Sequence, residues 1–594
     1  EERRQAMAEA LFNEVMYNEV LASDGFVVDY AVCTTYSLDM PTLLSVPFML
    51  GTMSELTDDA MRSPHYVLEA INKSAGKFAV FCNAGNIHVP QNTKTNIYSL
   101  LEKSIVQIAL SSKGKGFVNF HPKVWVIKES NPENGNEQLK VVVMSRNLNT
   151  SEDLDVVCEL TGVVGKSPTN KKKHKPLLDF LLWLKNQAKD RNMRKGIDEL
   201  CEALNHVRKF ETELPFEDYG FFPMGIPGYD GRECCLNKML DHAAETIVIS
   251  PFADESIVQQ FVQSHPATKK TLITRHSSVT DKMQTMNDGV YAVKEVMTDR
   301  TEKDTCVDIH EKVYFIRNSQ DYLNYLYLGS TNATQNGFGR NVEFLLRLQF
   351  KPYNMSYDKF RKELIYDGKD CMFEKVTSVM PQNDKDKDDT ENEFQLNKAI
   401  RAIDDAKVSV SNDGTYDVTI HCKRYIDGTS VFIYPLCSQA LRQELTNGTE
   451  FKSLPLASVT EFYVLEVGNI KRVVKIDTKG IPIEERDKAI FQSVINTKSK
   501  FINYLAFMLT DNPDEFLAES QQIERELLQG STTASDFEMT TSLYEDMVKA
   551  AYASPEKIAA IKNIMDKADK CVIPANFENM YNQFANALKK TRRL

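Results

Sequence analysis

Two segments of the chain carry the same short pattern in the same local setting. Residues 119–128 read NFHPKVWVIK and residues 308–317 read DIHEKVYFIR, so each places a His-x-Lys pair in a run of alternating β-formers. In each copy the next apolar run ends in a Ser-x-Asn triplet, within MSRNLN and within GSTNAT. The copies are offset by 189 residues at the histidines and by 185 residues at the serines. We interpret this as an internal duplication, so the chain must fold two copies of one supersecondary unit.

Each copy consists of short apolar runs separated by polar or helical patterns. Such alternation predicts an α/β fold with the strands covered on both faces. In the first copy the runs are GFVVDYAVCTT (25–35), KFAVFCN (77–83), FVNFHPKVWVI (117–127) and LKVVVMS (139–145), with a helix-like NIYSLLEKSIVQIAL (96–110). In the second copy they are TIVISPF (246–252), TLITR (271–275), CVDIHEKVYFI (306–316) and YLYLGS (325–330). We expect two α/β halves that form a pseudo-dimer, followed by a small β-rich domain and a helical C-terminal region.

The segment boundaries follow changes of pattern. Alternating residues around Asp413-Gly414 are typical of a β-hairpin, and the charge-dense DKDKDDTENE (384–393) is typical of a solvated linker. The predicted segments are 1–165 (first half), 166–215 (helical connector), 216–351 (second half), 352–406 (linker), 407–480 (β-rich domain) and 481–594 (helical region).

Composition restricts the class of protein. The 71 basic and 83 acidic side chains give a formal net charge of −12, so a polyanion partner would have to meet a local basic patch. The 11 cysteines are scattered without a C-x-x-C pair, which favours a reducing compartment. No apolar run approaches the roughly 18 residues of a spanning helix. We therefore expect a cytoplasmic protein without a membrane partner.

The duplicated polar residues suggest one shared site. Residues i and i+2 of a strand lie on one face, so each histidine is expected to point with its lysine and each serine with its asparagine. If the halves pack about a pseudo-twofold axis, imidazoles, ammonium groups and amides meet in one pocket. Lysines and amides can hold the oxygens of a phosphodiester, while one histidine attacks phosphorus and the other protonates the leaving oxygen. The candidate residues are His121, Lys123, Ser145, Asn147, His310, Lys312, Ser330 and Asn332.

This pattern resembles the phospholipase D superfamily, whose duplicated motif is H-x-K followed by G-S-x-N. The second copy matches with Gly329 before its Ser-x-Asn and with Glu343 in RNVEFLL, a carboxylate typical of the nuclease members. In the first copy Met144 replaces the glycine, and the matching acid is either Glu159 or Asp155. Both copies lack the Asp that phospholipases carry five residues after the lysine, since Lys128 and Arg317 stand there.

In lacking this Asp the chain resembles the branch of the superfamily that contains tyrosyl-DNA phosphodiesterases, nucleases and restriction enzymes. The resemblance implies a phosphodiesterase that acts on nucleic acid, DNA rather than RNA, without a metal or other cofactor. It implies a phosphohistidine on His121, with His310 as general acid, although a carboxylate-buttressed His310 is an open alternative as nucleophile. By analogy of layout we expect a DNA endonuclease of a bacterial antiviral defence or restriction system, with an ATPase or helicase partner; oligomerisation stays open. The rival hypotheses are a phospholipase or phosphatidyl transferase and a non-catalytic partner-binding scaffold.

Overall fold

A computed structural model describes most of the chain. The described residues are 23–50, 63–89, 96–110, 117–149, 153–265, 268–294, 308–366, 371–377, 387–423, 431–510, 516 and 536–590.

The strands are numbered in chain order. Those of the two repeated halves are β1 (Val27–Thr35), β2 (Leu38–Asp39), β3 (Phe78–Asn83), β4 (Ile87–His88), β5 (Ile105–Ile108), β6 (Val124–Ser130), β7 (Glu137–Met144), β8 (Val157–Val163), β9 (Asp218–Met224), β10 (Ala243–Ile249), β11 (Lys270–Ile273), β12 (Gly289–Val293), β13 (Val313–Asn318), β14 (Asn324–Gly329), β15 (Glu343–Phe350) and β16 (Phe373–Lys375). Those that follow are β17 (Ile403–Val410), β18 (Tyr416–Cys422), β19 (Phe432–Pro435), β20 (Gln443–Glu444), β21 (Thr449–Leu454), β22 (Phe462–Val467), β23 (Ile470–Lys475) and β24 (Thr478–Lys479).

The helices are numbered in the same way. They are α1 (Met40–Met49), α2 (Pro64–Ser74), α3 (Lys175–Gln187), α4 (Arg191–His206), α5 (Asn237–Leu240), α6 (Glu255–Ser264), α7 (Gln335–Gly339), α8 (Tyr357–Leu364), α9 (Lys387–Ala402), α10 (Ile483–Val494), α11 (Lys498–Leu509), α12 (Asp536–Ala553), α13 (Pro555–Lys567) and α14 (Ala575–Lys590).

The main sheets of the two repeated halves have one topology. The first sheet has the order β5-β3-β1-β6-β7-β8, and the second has β12-β11-β10-β13-β14-β15, extended by β16 at one edge and β9 at the other. In each sheet the first three strands are parallel to one another, and the next three are antiparallel to their neighbours. The predicted duplication and α/β class are confirmed.

One continuous hydrophobic core contains side chains from both sheets. Val141 of β7 and Leu346 of β15 belong to it, together with Phe180 of α3 and Leu204 of α4. Strands that are apolar on both faces require such cover, and the connector helices supply part of it. The Asp190 side chain accepts a hydrogen bond from the Met193 N–H and thereby caps the start of α4.

Two local expectations are wrong. The segment 96–110 is not one helix, because a 3₁₀-helix ends at Ser104 and β5 follows at once. The β-branched Ile105 and Val106 favour a strand that is buried beside β3. The segment 384–393 is not wholly a linker either, since α9 begins at Lys387; residues 384–386 lie outside the described part. Apolar residues later in that helix, such as Leu396, are buried and stabilise it.

The chain divides into two compact units. Unit 1 comprises Glu1–Thr42, Gly76–His88 and Lys103–Glu391, and unit 2 comprises Leu43–Ala75, Val89–Glu102 and Asn392–Leu594. Two segments of the predicted first half, 43–75 and 89–102, therefore belong to unit 2.

Unit 2 contains the predicted hairpin and the C-terminal helices. Strands β17 and β18 pair from Val410 and Tyr416 outward, and Gly414 takes a φ of +82° in the turn between them. An ion pair is buried in this unit, with Arg486 Nη1 2.6 Å from Glu102 Oε2. Thr460 Oγ1 also donates to Glu102, at 2.7 Å, so the inserted segment is fastened to the C-terminal part of the unit.

Within the described residues, no helix is both long enough and apolar enough to cross a membrane.

Candidate active site

The His-x-Lys pairs stand just before the central antiparallel strands rather than on them. Strand β6 begins at Val124, immediately after Lys123, and β13 begins at Val313, immediately after Lys312. The expectation that strand alternation aligns each pair is therefore wrong in detail. The side chains nevertheless converge, because Lys123 Nζ lies 3.1 Å from His121 Nε2 and donates to the His121 carbonyl oxygen at 3.0 Å. Lys312 Nζ likewise donates to the carbonyl oxygen of its own histidine.

Each motif segment is held by backbone of the other half. Phe120 forms an isolated parallel bridge with Val342, and the His121 N–H donates to the Val342 carbonyl at 2.9 Å. In the same way Ile309 bridges Leu154, and the His310 N–H donates to the Leu154 carbonyl at 2.9 Å. The two histidines are thereby fixed to the segments that precede β15 and β8. This exchange creates a single site from both halves.

The exchange also gives each histidine a carboxylate from the opposite half. His121 Nδ1 lies 2.9 Å from Glu343 Oε2, and His310 Nδ1 lies 2.8 Å from Asp155 Oδ1. The motif serines complete the symmetry, since Ser145 Oγ donates to Asp155 at 2.6 Å and Ser330 Oγ donates to Glu343. A carboxylate on Nδ1 fixes the proton there and leaves Nε2 as the reactive nitrogen of the neutral ring.

Glu159 is not the acid of the first half. Its side chain is 39% exposed and lies 3.6 Å from Lys140 Nζ, on the body of β8. The pairing of the motif serines explains why Asp155 is the acid and Glu159 is not. Ser145 exchanges hydrogen bonds with Val156 as Ser330 does with Phe344. Asp155 precedes Val156 as Glu343 precedes Phe344, so Asp155 is the counterpart of Glu343.

The asparagines of the motif contact the loops that follow β1 and β10. Asn147 Oδ1 accepts from the backbone N–H groups of Tyr36 and Ser37, both at 3.3 Å. Asn332 Oδ1 accepts from Ser250 Oγ at 3.4 Å. The two asparagines therefore have equivalent positions in the two halves, and they fix loops beside the histidines. A direct role toward substrate stays a prediction.

Three residues near the histidines were not predicted. The Tyr36 ring packs on the His121 ring, with centroids 5.0 Å apart. Arg275 Nε lies 2.7 Å from Asp308, and its Nη2 donates to the Ile309 carbonyl at 3.1 Å. Glu311, between His310 and Lys312 in sequence, carries a carboxyl whose pKa burial and the charge of Asp155 raise to about 7. Single sequence positions give no signal for these contacts.

His276, which follows Arg275, contacts Glu374 at 3.3 Å.

Burial dominates the electrostatics of the cluster. It lowers the pKa of His121 to about 4, with help from Lys123 and Lys312 and against the charge of Glu343. It lowers the pKa of Lys123 to about 7, opposed by Glu343 and Asp155, and it holds the pKa of Lys312 well below the usual range. The pKa of His310 is lowered by burial as well. The cluster by itself therefore binds few protons, and a bound anion would favour the charged forms of its lysines and histidines.

Asp155 behaves in the opposite way. Burial alone would raise its pKa, but the hydrogen bonds from His310 and Ser145 and the charges of His310 and Lys312 hold it below the usual value. Asp155 is thus an anion that favours the imidazolium form of His310. The His121 and His310 side chains remain 13% and 19% exposed, so a substrate can reach both rings.

Within the part of the chain that the structure describes, no group of three or more His, Cys, Asp or Glu side chains is arranged to hold a metal ion.

Comparison with known proteins gives only distant similarities. No protein-family model matches the chain, and no curated protein matches its sequence. Among solved structures, polyphosphate kinase from Porphyromonas gingivalis is 12% identical, covers 58% of this chain and 42% of its own, and aligns with a TM-score of 0.31. NucT from Helicobacter pylori is 17% identical, covers 25% of this chain and 94% of its own, and has a TM-score of 0.19. The chain spans less than half the length of that kinase. At these TM-scores the likenesses carry no argument.

Proposed function

We propose that unit 1 is a phosphodiesterase that cleaves nucleic acid through a phosphohistidine. The observation that carries the proposal is the crossed pairing of His121 with Glu343 and of His310 with Asp155. Two oriented imidazoles beside two lysines provide a nucleophile, an acid and positive charge for phosphate oxygens. The duplicated motif, which resembles the phospholipase D superfamily, supports the same chemistry.

In the first step His121 Nε2 gives its lone pair to phosphorus, and the bond from phosphorus to the leaving oxygen breaks. His310, in its imidazolium form, gives the leaving oxygen a proton. In the second step His310 takes a proton from water, the water oxygen bonds to phosphorus, and the P–N bond returns its electron pair to His121. The products are a phosphomonoester and an alcohol, so atoms and charge balance. Lys123 and Lys312 stabilise the charge on the non-bridging oxygens.

The surroundings of His121 are compatible with a nucleophilic Nε2. Glu343 accepts from Nδ1, so the lone pair of the neutral ring is on Nε2, where it accepts from Lys123 Nζ at 3.1 Å; the attack requires Lys123 to turn from Nε2 to the phosphate oxygens. The low pKa of His121 keeps the ring neutral at neutral pH. Glu343 was expected to suit His310, which left His310 open as the nucleophile. Glu343 contacts His121 instead and Asp155 contacts His310, so both rings carry a carboxylate. The choice of His121 therefore rests on its low pKa and on the family resemblance.

The substrate class rests on the nuclease-like departures of the motif. The position five residues after each motif lysine holds Lys128 or Arg317, where a phospholipase carries Asp. Lys128 pairs with Glu137 at 2.9 Å, so a basic residue is accommodated in that strand. We infer a DNA endonuclease that requires no metal. Its place in a bacterial defence or restriction system, and its ATPase or helicase partner, are inferred from layout alone.

The test is cleavage in excess EDTA. Plasmid, linear DNA, single-stranded DNA and RNA are incubated with the wild type, with His121→Ala and with His421→Ala. The control removes a histidine of unit 2 whose Nδ1 lies 2.8 Å from Asp405, a histidine–carboxylate pair that belongs to neither His-x-Lys motif. We expect DNA cleavage by the wild type and the control, and none by His121→Ala. Cleavage that EDTA abolishes and Mg²⁺ restores would refute the metal-free mechanism.

A further inference from the structure

A second cleft lies in unit 1, outside the histidine site. It has a volume of about 290 Å³ and is bounded by the basic run at 171–175, by β9, by α5 and by β15. Lysine, arginine and aromatic side chains line it together, namely Lys172, Lys173, Lys238, Arg347, Tyr219 and Phe222. The volume is at the lower end of the range for small-molecule sites, which suits one mononucleotide-sized ligand.

Arg347 is one of the residues that line this cleft. It pairs across the ladder with Gly220, and a Cβ added at Gly220 would make van der Waals contact with the guanidinium, 3.5 Å from Nη2. The guanidinium carbon lies 5.5 Å from the Phe222 ring centre and 5.0 Å from that of Tyr325. Arg347 Nε is buried without a hydrogen-bond partner among the described residues. The guanidinium therefore lies beside two aromatic rings and retains a donor that no other side chain uses.

The lysines add charge that carboxylates do not balance. Lys173 pairs with Asp218, but within the described residues neither Lys172 nor Lys238 forms an ion pair, and Arg347 forms none either. Lys238 Nζ lies 5.7 Å from the Phe222 ring centre, so it faces the same space as Arg347. Four cations and one carboxylate thus meet at one cleft of a chain whose net charge is −12. Such focused charge attracts anions.

We propose that this cleft binds a nucleoside phosphate, either free or as one nucleotide of a strand. The lysines and the guanidinium edge take the phosphate, since Arg binds phosphate oxygens in pairs. The partly buried Phe222 ring offers a stacking surface for the base. An anion without a ring would leave that surface unused.

The cleft can also bind part of a nucleic-acid strand whose scissile phosphate lies at the histidines. Arg347 lies four residues beyond Glu343 on β15, which corresponds to about 13 Å along the strand. If the ligand is a nucleic-acid strand, the cleft holds a nucleotide that flanks the scissile bond, and this interpretation rests on the proposed function. If the ligand is a free nucleotide, the cleft stands independently of the catalysis.

The experiment measures binding by calorimetry in EDTA at low salt. The probes are ATP, adenosine, inorganic phosphate and a single-stranded 12-nucleotide DNA. The proteins are the wild type, Arg347→Gln, Lys238→Gln and the control Arg317→Gln, which removes a strand arginine beside an aromatic ring (Tyr322, 5.9 Å) outside the cleft. Thermal melting of each variant checks that it is folded.

We expect ATP to bind at least tenfold more weakly to Arg347→Gln and several-fold more weakly to Lys238→Gln, with less than a twofold change in the control. ATP should bind more tightly than phosphate or adenosine. A strand ligand is indicated when the DNA shows the same losses and its affinity falls more steeply with salt than that of ATP. Equal binding of phosphate and ATP, or variants that bind like the wild type, would overturn the proposal. Turnover of a nitrophenyl phosphodiester by the wild type tests the proposed function separately. ATP binding without such turnover would support the binding cleft and contradict the proposed phosphodiesterase activity.

Discussion

Replacing Glu343 by Gln tests the crossed pairing of histidines and carboxylates. Glu343 is fully buried and accepts hydrogen bonds from His121, Ser330 and Asn341. Gln keeps the size of the side chain and one acceptor oxygen, but it removes the negative charge. The change therefore removes the partner of the positive charge that develops on the His121 ring when Nε2 attacks phosphorus.

The magnitude follows from the distance. With Glu343 Oε2 2.9 Å from His121 Nδ1, the charge centres are about 4 Å apart, worth about 4 kcal/mol at an effective dielectric constant of about 20. At about 1.36 kcal/mol for each factor of ten, this predicts a loss of about 10³ in the rate of phosphoenzyme formation. Asp155→Asn makes the same change at His310, which has no role in expelling a good leaving group. We expect Asp155→Asn to leave phosphoenzyme formation from a nitrophenyl phosphodiester within about tenfold of the wild type.

The assay is rapid mixing with that substrate. The burst of nitrophenolate measures phosphoenzyme formation, and the steady state measures its hydrolysis. Glu343→Gln should slow the burst, whereas Asp155→Asn should keep the burst and slow the steady state, because His310 must activate water. Glu159→Gln, an exposed carboxylate on β8, serves as the control and should change neither phase by more than twofold.

The opposite pattern would refute the reasoning. A slow burst in Asp155→Asn with a normal burst in Glu343→Gln would make His310 the nucleophile. Equal losses of rate in Glu343→Gln and Asp155→Asn, with substrates of good and of poor leaving groups alike, would indicate that the carboxylates have only a structural role. Melting temperatures close to that of the wild type are required before any variant is interpreted.

Three further predictions concern pH and stability. Burial lowers the pKa of His121 to about 4 and that of Lys123 to about 7. The value of kcat/KM for the nitrophenyl substrate should therefore rise through about pH 4, as the imidazole loses its proton, and fall above about pH 7, as the ammonium loses its charge. A rise of kcat/KM between about pH 7 and 9 would contradict this assignment. Gly329→Ala should lower the free energy of unfolding by about 2–3 kcal/mol in urea titrations, because Gly329 has a φ of +146° and an added Cβ would collide with the carbonyl across the ladder; an unchanged midpoint would remove the steric argument. Glu102→Gln should cost about 3–5 kcal/mol because it leaves Arg486 buried without a carboxylate, and a loss below about 1 kcal/mol would show that the pair is not buried in solution.

The sequence by itself determined the repeated parts of this protein. The duplicated spacing predicted two halves of one topology, and the His-x-Lys and Ser-x-Asn residues predicted one polar cluster. Apolar periodicity located four of the six strands of the first sheet and four of the eight strands of the second. It found them because a strand buried on both faces needs a short continuous apolar run. The Asp413-Gly414 turn fixed the hairpin of unit 2, because the glycine adopts a positive φ at little steric cost.

The tertiary structure alone decided how the halves share the site. His121 and Glu343 lie 222 residues apart, and the pairing depends on the Phe120–Val342 bridge, which no local pattern encodes. The choice of Asp155 over Glu159 depends on which residue pairs with the motif serine after β7. The serine pairs with a residue 11 positions later in the first half and with a residue 14 positions later in the second. Alternation in a strand sets which face a side chain occupies, but it does not set which distant strand lies opposite. That contact follows from burying one core between two sheets, and burial is a property of the whole unit.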